Sequence, residues 1–215
     1  MTNDAHHSYL TQTLEKAVIL PVLVIESSEE AVALAKALFA GGCTAIEVTL
    51  RSQAALSAIE KIATALPELA LGAGTLLEQA QFAQVKSAGA SYALSPGTTE
   101  RLSQAAIDAD LPYVPAAATP SEVLSLREQG FKIQKLFPAT VVGGIDMLKS
   151  LHAPIADVRF CPTGGVSLEN LNNFLSQPNV ICVGGSWLAP KNMVTEKKWN
   201  EITRLVETSL AKAKR

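Results

Sequence analysis

Strand-like runs return along this chain at a nearly fixed interval, and that regularity constrains the fold more than any single residue does. The runs are residues 18–25, 45–50, 69–73, 92–95, 113–116, 131–137, 157–162 and 180–183. Their starts lie roughly 21 to 27 residues apart, with one shorter step, which is room for one strand and one helix per repeat. Between them, segments 28–40, 53–66 and 78–88 carry apolar residues at helical spacing. Ser27 or Ser28 with Glu30, and Thr119-Pro120-Ser121-Glu122, read as helix N-terminal caps. Residues 10–16 read as an extra leading helix and 196–214 as a closing amphipathic one. No linker, low-complexity tract or break in composition interrupts the repeats. The expectation is a single α/β domain over 1–215, a (β/α)8 TIM barrel with an extra N-terminal helix. A doubly wound open sheet is the alternative, but it usually places a glycine-rich turn after its first strand. Here that strand runs into Glu26-Ser27-Ser28-Glu29-Glu30, without glycine.

Composition removes several function classes. With 18 basic against 20 acidic side chains there is no electrostatic footprint for nucleic acid, and 5% aromatics make a poor platform for stacking bases. No apolar run reaches the roughly 18 residues of a membrane span, and Met1-Thr2-Asn3-Asp4 lacks the basic start of a signal peptide, so a cytoplasmic protein is expected. Only three histidines occur, His6, His7 and His152, too few and too badly placed for a multi-histidine metal centre or a Ser-His-Asp relay. His6-His7 reads as a solvated helix start in preference to a weak metal site. Cys43, Cys161 and Cys182 are odd in number, widely spaced and flanked by apolar residues, and read as buried reduced thiols.

In a barrel, function collects where strands end and the next loops begin. The unusual dipeptides fall there: Gly74-Thr75, Pro96-Gly97, Thr163-Gly164-Gly165 and Gly184-Gly185-Ser186 among them. Lys135 sits near the end of a strand-like run, and period-two alternation puts it on one face with Phe131, Ile133 and Phe137. Apolar surroundings disfavour the ammonium form, which makes the amine a usable nucleophile for a carbonyl substrate. A structural ion pair is the competing reading. In the run around Glu47, residues Ile46, Val48 and Leu50 suit covering helices, while Glu47, Thr49 and Arg51 share the opposite face. Buried charges are costly unless paired or employed. They form either a mutual Glu47–Arg51 salt bridge or a proton-transfer group beside an anchor for a substrate carboxylate. Glycine pairs after the seventh and eighth strands let backbone N–H groups approach an anion, and barrels frequently hold phosphate there.

Taken in order, Gly41-Gly42 with residues 46–51, Gly72-Ala73-Gly74-Thr75-Leu76, Ser95-Pro96-Gly97, Thr119-Pro120-Ser121-Glu122, Lys135-Leu136-Phe137-Pro138-Ala139, Pro162-Thr163-Gly164-Gly165-Val166 and residues 183–188 form a specific set. Through them the chain, from about residue 18 to 187, closely resembles the 2-keto-3-deoxy-6-phosphogluconate (KDPG) aldolase family. These are class I Schiff-base aldolases that also act on 4-hydroxy-2-oxoglutarate (KHG).

The resemblance implies a homotrimeric barrel that needs no cofactor and no metal and acts on a small phosphorylated 2-keto acid. By motif, Lys135 would form the Schiff base and Glu47 would move protons. Arg51, Thr75, Pro96 and Thr163 would join Lys135 around the pyruvate-derived half, and Gly164, Gly165, Gly185 and Ser186 would hold the phosphate. Ala116 stands where the family commonly shows glycine, which bears on loop shape and substrate preference and leaves the reaction class alone. The rivals are the epimeric phosphogalactonate aldolase, a phosphosugar isomerase or epimerase on a similar barrel, and a silent phosphate-binding protein. The last would keep the glycines and lose Lys135 or Glu47.

Overall fold

The computed structural model describes residues 3–213, so Met1, Thr2, Lys214 and Arg215 lie outside the described residues, and with them both the expected start of the chain and the last residue of the expected closing helix. Strands and helices alternate in order. They are α1 (Asn3–Ala17), β1 (Ile19–Leu23), α2 (Ser28–Ala40), β2 (Ala45–Thr49), α3 (Ala55–Ala65), β3 (Ala70–Gly74), α4 (Gln79–Ser87), β4 (Tyr92–Leu94) and α5 (Glu100–Asp108). There follow β5 (Tyr113–Val114), β6 (Ala116–Ala117), α6 (Pro120–Glu128), β7 (Ile133–Leu136), α7 (Gly144–His152), β8 (Arg159–Pro162), α8 (Leu171–Leu175), β9 (Val183–Gly185), α9 (Lys191–Thr195) and α10 (Trp199–Lys212). The caps explain several boundaries. Ser27 accepts from Glu29 N–H at the head of α2, and Thr119 and Glu122 form a reciprocal capping box with Pro120 opening α6.

Every strand pairing is parallel, in a curled α/β sheet. One run orders the strands β5-β4-β3-β2-β1-β9 and a second β6-β7-β8. The expected fifth strand is split, because Pro115 has no N–H to give a ladder. Its carbonyl still accepts from Lys135 N–H at 2.8 Å. Beside β8, Phe160 N–H donates to Asn179 and Ile181 N–H donates to Phe160, and a bridge joins Thr163 to Gly184. The expected run at 180–183 therefore starts as an isolated bridge, and its regular strand lies slightly later.

Two apolar clusters divide the work. Ile46, Val48, Leu136 and Phe160 face the helices in a large outer layer with Leu34, Ile59, Ile62 and Leu148. Fully burying a side chain of this size contributes about 1.5–3 kcal/mol. Ala45, Tyr92, Leu94, Ile133, Cys161 and Cys182 face inward, and Leu10 and Leu14 of α1 pack among them. The leading helix is longer than residues 10–16. His6 and His7 belong to it and are half-buried, and His6 Nε2 lies 3.2 Å from an Asp110 carboxylate oxygen. Glu15 pairs with Arg159 of β8. His152 is the last residue of α7. The three cysteines are buried and none is in a disulfide, and burial pushes the Cys43 thiol up to about 12.

Candidate active site

Because the strands are parallel, their carboxyl ends share one edge of the sheet, and the expected site residues converge there. Glu47 lies within β2, Thr75 directly follows β3, Pro96 follows β4, Lys135 lies in β7, Thr163 follows β8, Gly185 ends β9 and Ser186 follows it. Local alternation sets the faces. Gln134, one residue before Lys135, donates outward to the carbonyl of Val123 in α6, so Lys135 points the other way.

Lys135 Nζ lies 3.1 and 3.3 Å from the two carboxylate oxygens of Glu47. The side chains are 5% and 1% exposed, so the pair is cut off from solvent. The ring of Phe137 stands 5.5 Å from Nζ, within cation–π range. The Glu47–Arg51 salt bridge does not form: Arg51 is exposed and its Nε donates to Thr49 Oγ1 at 3.1 Å. Thr49 Oγ1 donates in turn to the carbonyl of Leu23 at 2.7 Å, which leaves both terminal nitrogens of Arg51 for a carboxylate. Removing two charges from water is expensive, and an apolar pair of similar volume is often as stable. The arrangement is better understood as chemical equipment: a nucleophile within hydrogen-bond reach of a base.

Two glycines of β3, alternating along one face, make room for this pair. A Cβ on Gly74 would stand 2.0 Å from Glu47 Oε1, and one on Gly72 would meet the ring of Tyr92 at 2.3 Å. Tyr92, fully buried, donates from its hydroxyl to the carbonyl of Ile46, next to Glu47. The sequence reading missed Gly74 as the cradle of Glu47 and Tyr92 as a support of its strand. Glycines at alternate positions inside a strand were the available signal. Gly74→Ala is expected to keep the fold, by circular dichroism, while displacing the carboxylate. Misplacing a reacting group by about 1 Å can cost on the order of 10²-fold, which steady-state kcat would report.

The remaining expected residues ring the same edge. Thr75 is half-buried with φ 64, a left-handed conformation that strains a β-branched residue. Ser95, buried, pairs with the Tyr113 hydroxyl, and Thr98 donates to the carbonyl of Ala116, which fixes the half-buried Pro96 turn between them. Ala116 and Cys161 flank Lys135 in register on the neighbouring strands. A hydrogen bond with Cys182 is the main influence holding the Cys161 thiol below its usual value, aided by the charge of Lys135. Thr163 is buried against Gly184, while Gly164, half-buried, and Gly165, exposed, turn with φ 96 and 78. Thr140, in the turn after the lysine strand, donates to the carbonyl of Gly164 and so ties the two loops together. A cavity of about 580 Å³ is lined by Arg51 and Ser186, while Lys135 and Glu47 are buried and take no part in its wall.

A family model described as KDPG and KHG aldolase matches residues 10–205. The chain belongs to that aldolase family. Among its aldolase relatives, the 2-dehydro-3-deoxy-phosphogluconate aldolase of Pseudomonas aeruginosa is 44% identical over 91% of this chain and 89% of its own length. The KHG/KDPG aldolase of Escherichia coli is 43% identical over 91% and 92%. Among solved aldolase structures, the KDPG aldolase of Legionella pneumophila, with pyruvate captured at low pH as a covalent carbinolamine intermediate, superposes with a TM-score of 0.90 at 40% identity, covering 93% of this chain and 97% of that one.

Proposed function

We propose that this protein is a class I aldolase that cleaves KDPG to pyruvate and glyceraldehyde 3-phosphate, and KHG to pyruvate and glyoxylate. The observation that carries the reading is the buried Lys135–Glu47 pair, in a family of which one member has been captured with pyruvate bound covalently. Lys135 passes a proton to Glu47, and its amine then attacks the C2 ketone to give a carbinolamine. Glu47 shuttles the protons by which the carbinolamine loses water and becomes an iminium. Glu47, directly or through water, then takes the C4 hydroxyl proton. The C3–C4 bond breaks, its electrons flow to the iminium nitrogen, and the aldehyde leaves. The enamine is protonated at C3 and hydrolysed, which releases pyruvate and restores the lysine.

Arg51, Thr75, Pro96 and Thr163 surround the pyruvate-derived half in this proposal, and Gly164, Gly165, Gly185 and Ser186 hold the phosphate. The positive-φ turn at Gly164-Gly165 supports the latter, since such a turn aims successive N–H groups at an anion. The proposal includes one domain over 1–215 closed as a (β/α)8 barrel, supported by the hydrogen bonds on either side of β8. A cytoplasmic homotrimer rests on the family resemblance. Among the described residues, no helix is long and apolar enough to cross a membrane.

Pyruvate release from KDPG, from its C4 epimer and from KHG, measured side by side, tests the assignment. Turnover of KDPG well above the epimer is expected, and failure on all three would overturn it. The iminium serves as electron sink, so the proposed route has no step for a Lewis acid. Among the described residues, no cluster of three His, Cys, Asp or Glu could hold a metal ion. Activity is expected to survive exhaustive EDTA treatment. Loss that one divalent ion restores would point to a metal-dependent aldolase.

A further inference from the structure

The residues assigned to the phosphate, Gly164, Gly165, Gly185 and Ser186, bring N–H groups and one hydroxyl but no positive charge. A phosphate monoester carries about −1.5 to −2 at neutral pH, so neutral donors alone leave most of that charge unanswered. The 580 Å³ cavity beside the site falls within the size range of small-molecule pockets. Its wall holds two cations, Arg51 and Lys191, and two carboxylates, Glu26 and Glu30. Glu30 is paired with Lys197 at 3.2 Å, outside that wall. Among the described residues neither Arg51 nor Lys191 lies within ion-pair distance of a carboxylate. Arg51 is already spoken for at the carboxylate end of the substrate. Lys191 is not.

The backbone keeps Lys191 close to the phosphate loop. After Ser186, the ring of Trp187 packs on Gly185, where any Cβ would collide with it at 1.7 Å, and its Nε1 donates to Ser209 of α10. Leu188 is fully buried, and Val194 N–H donates to the carbonyl of Pro190 as the chain turns into α9. Ser186 and Lys191 therefore stand at the two ends of one pinned segment, on the wall of one cavity.

We propose that Lys191 is a specificity-determining residue that supplies the positive charge for the phosphate of the substrate, across the cavity from Arg51. It rests on the aldolase reading above and adds what makes the site favour phosphorylated 2-keto acids over KHG. A charge-assisted contact at a solvent-facing rim is expected to be worth about tenfold in binding. Lys191→Ala should raise KM for KDPG about tenfold, leave kcat nearly unchanged and leave KM for KHG unmoved. Lys191→Arg should restore most of the loss, and the salt dependence of KM for KDPG should flatten in the alanine variant. Lys149→Ala, which removes an exposed charge away from this cavity, should match the parent protein. Equal effects on both substrates, or an unchanged KM for KDPG, would overturn the assignment. A calorimetric titration with inorganic phosphate separates this inference from the reading beneath it. Weaker phosphate binding in Lys191→Ala supports it even in a protein that turns over none of the keto acids, and unaltered phosphate binding refutes it.

Discussion

Pyruvate followed by borohydride is expected to inactivate the protein and leave a single reduced pyruvyl group on Lys135. Among the described residues, Lys135 is the buried lysine, with its amine against the ring of Phe137 and within 3.3 Å of both oxygens of a carboxylate. Nζ adds to the ketone, water is lost, and hydride from borohydride traps the iminium as a stable secondary amine. Lys132 and Lys198 lie at the surface, paired with Asp157 and Glu196, and form no comparable adduct. Lys135→Arg keeps a cation opposite Glu47 but has no nucleophilic nitrogen at neutral pH. It should lose the label and at least about 10⁴-fold in kcat, as deletions of covalent nucleophiles do. Peptide mapping by mass spectrometry locates the adduct. A label elsewhere, or an unlabelled but active arginine variant, would remove Lys135 from the mechanism.

How far this site could be seen in advance depends on how local each feature is. Side-chain alternation is a property of two neighbouring residues, so the shared face of Glu47, Thr49 and Arg51, and the inward face of Lys135, were legible. Helix caps are equally local, and those at Ser27 and Thr119 fell where the sequence put them. The partner of Glu47 was not legible. Lys135 is 88 residues away and reaches Glu47 only because the parallel strands curl, whereas the suggested Arg51 was attractive for being near in sequence. Gly74 needed the β2–β3 register, which sets it beside Thr49 and under the carboxylate of Glu47. The first turns of α1 were read only as a solvated helix start at His6-His7, apart from the helix over 10–16, for a different reason. Residues 4–8 are mostly polar and show no apolar stripe, and a tertiary contact from His6 to Asp110 accompanies the helix there. Lys191 gave no periodic or motif signal at all; its interest comes from the cavity it lines.

Glu47→Gln separates the two things a buried carboxylate beside a lysine could be doing. The amide has nearly the same shape and can still accept a hydrogen bond from Lys135, but it cannot take a proton. If Glu47 moves protons, kcat should fall by about 10²–10⁴-fold with little change in KM. If Glu47 is only a counter-ion, kcat should stay near that of the parent while stability suffers, since breaking a buried pair costs about 3–5 kcal/mol. Thermal unfolding of three variants resolves the overlap. Glu47→Gln and Lys135→Met each remove one charge, and each should unfold at lower temperature. The double variant Glu47→Gln/Lys135→Met leaves no charge uncompensated and should recover much of the stability while staying inactive. Stability that returns in the double variant measures what the ion pair does for packing, while the role of the carboxylate is read from kcat of Glu47→Gln alone, in which Lys135 is intact. Near-full kcat in Glu47→Gln would instead leave proton transfer to water or to another group at the mouth of the site.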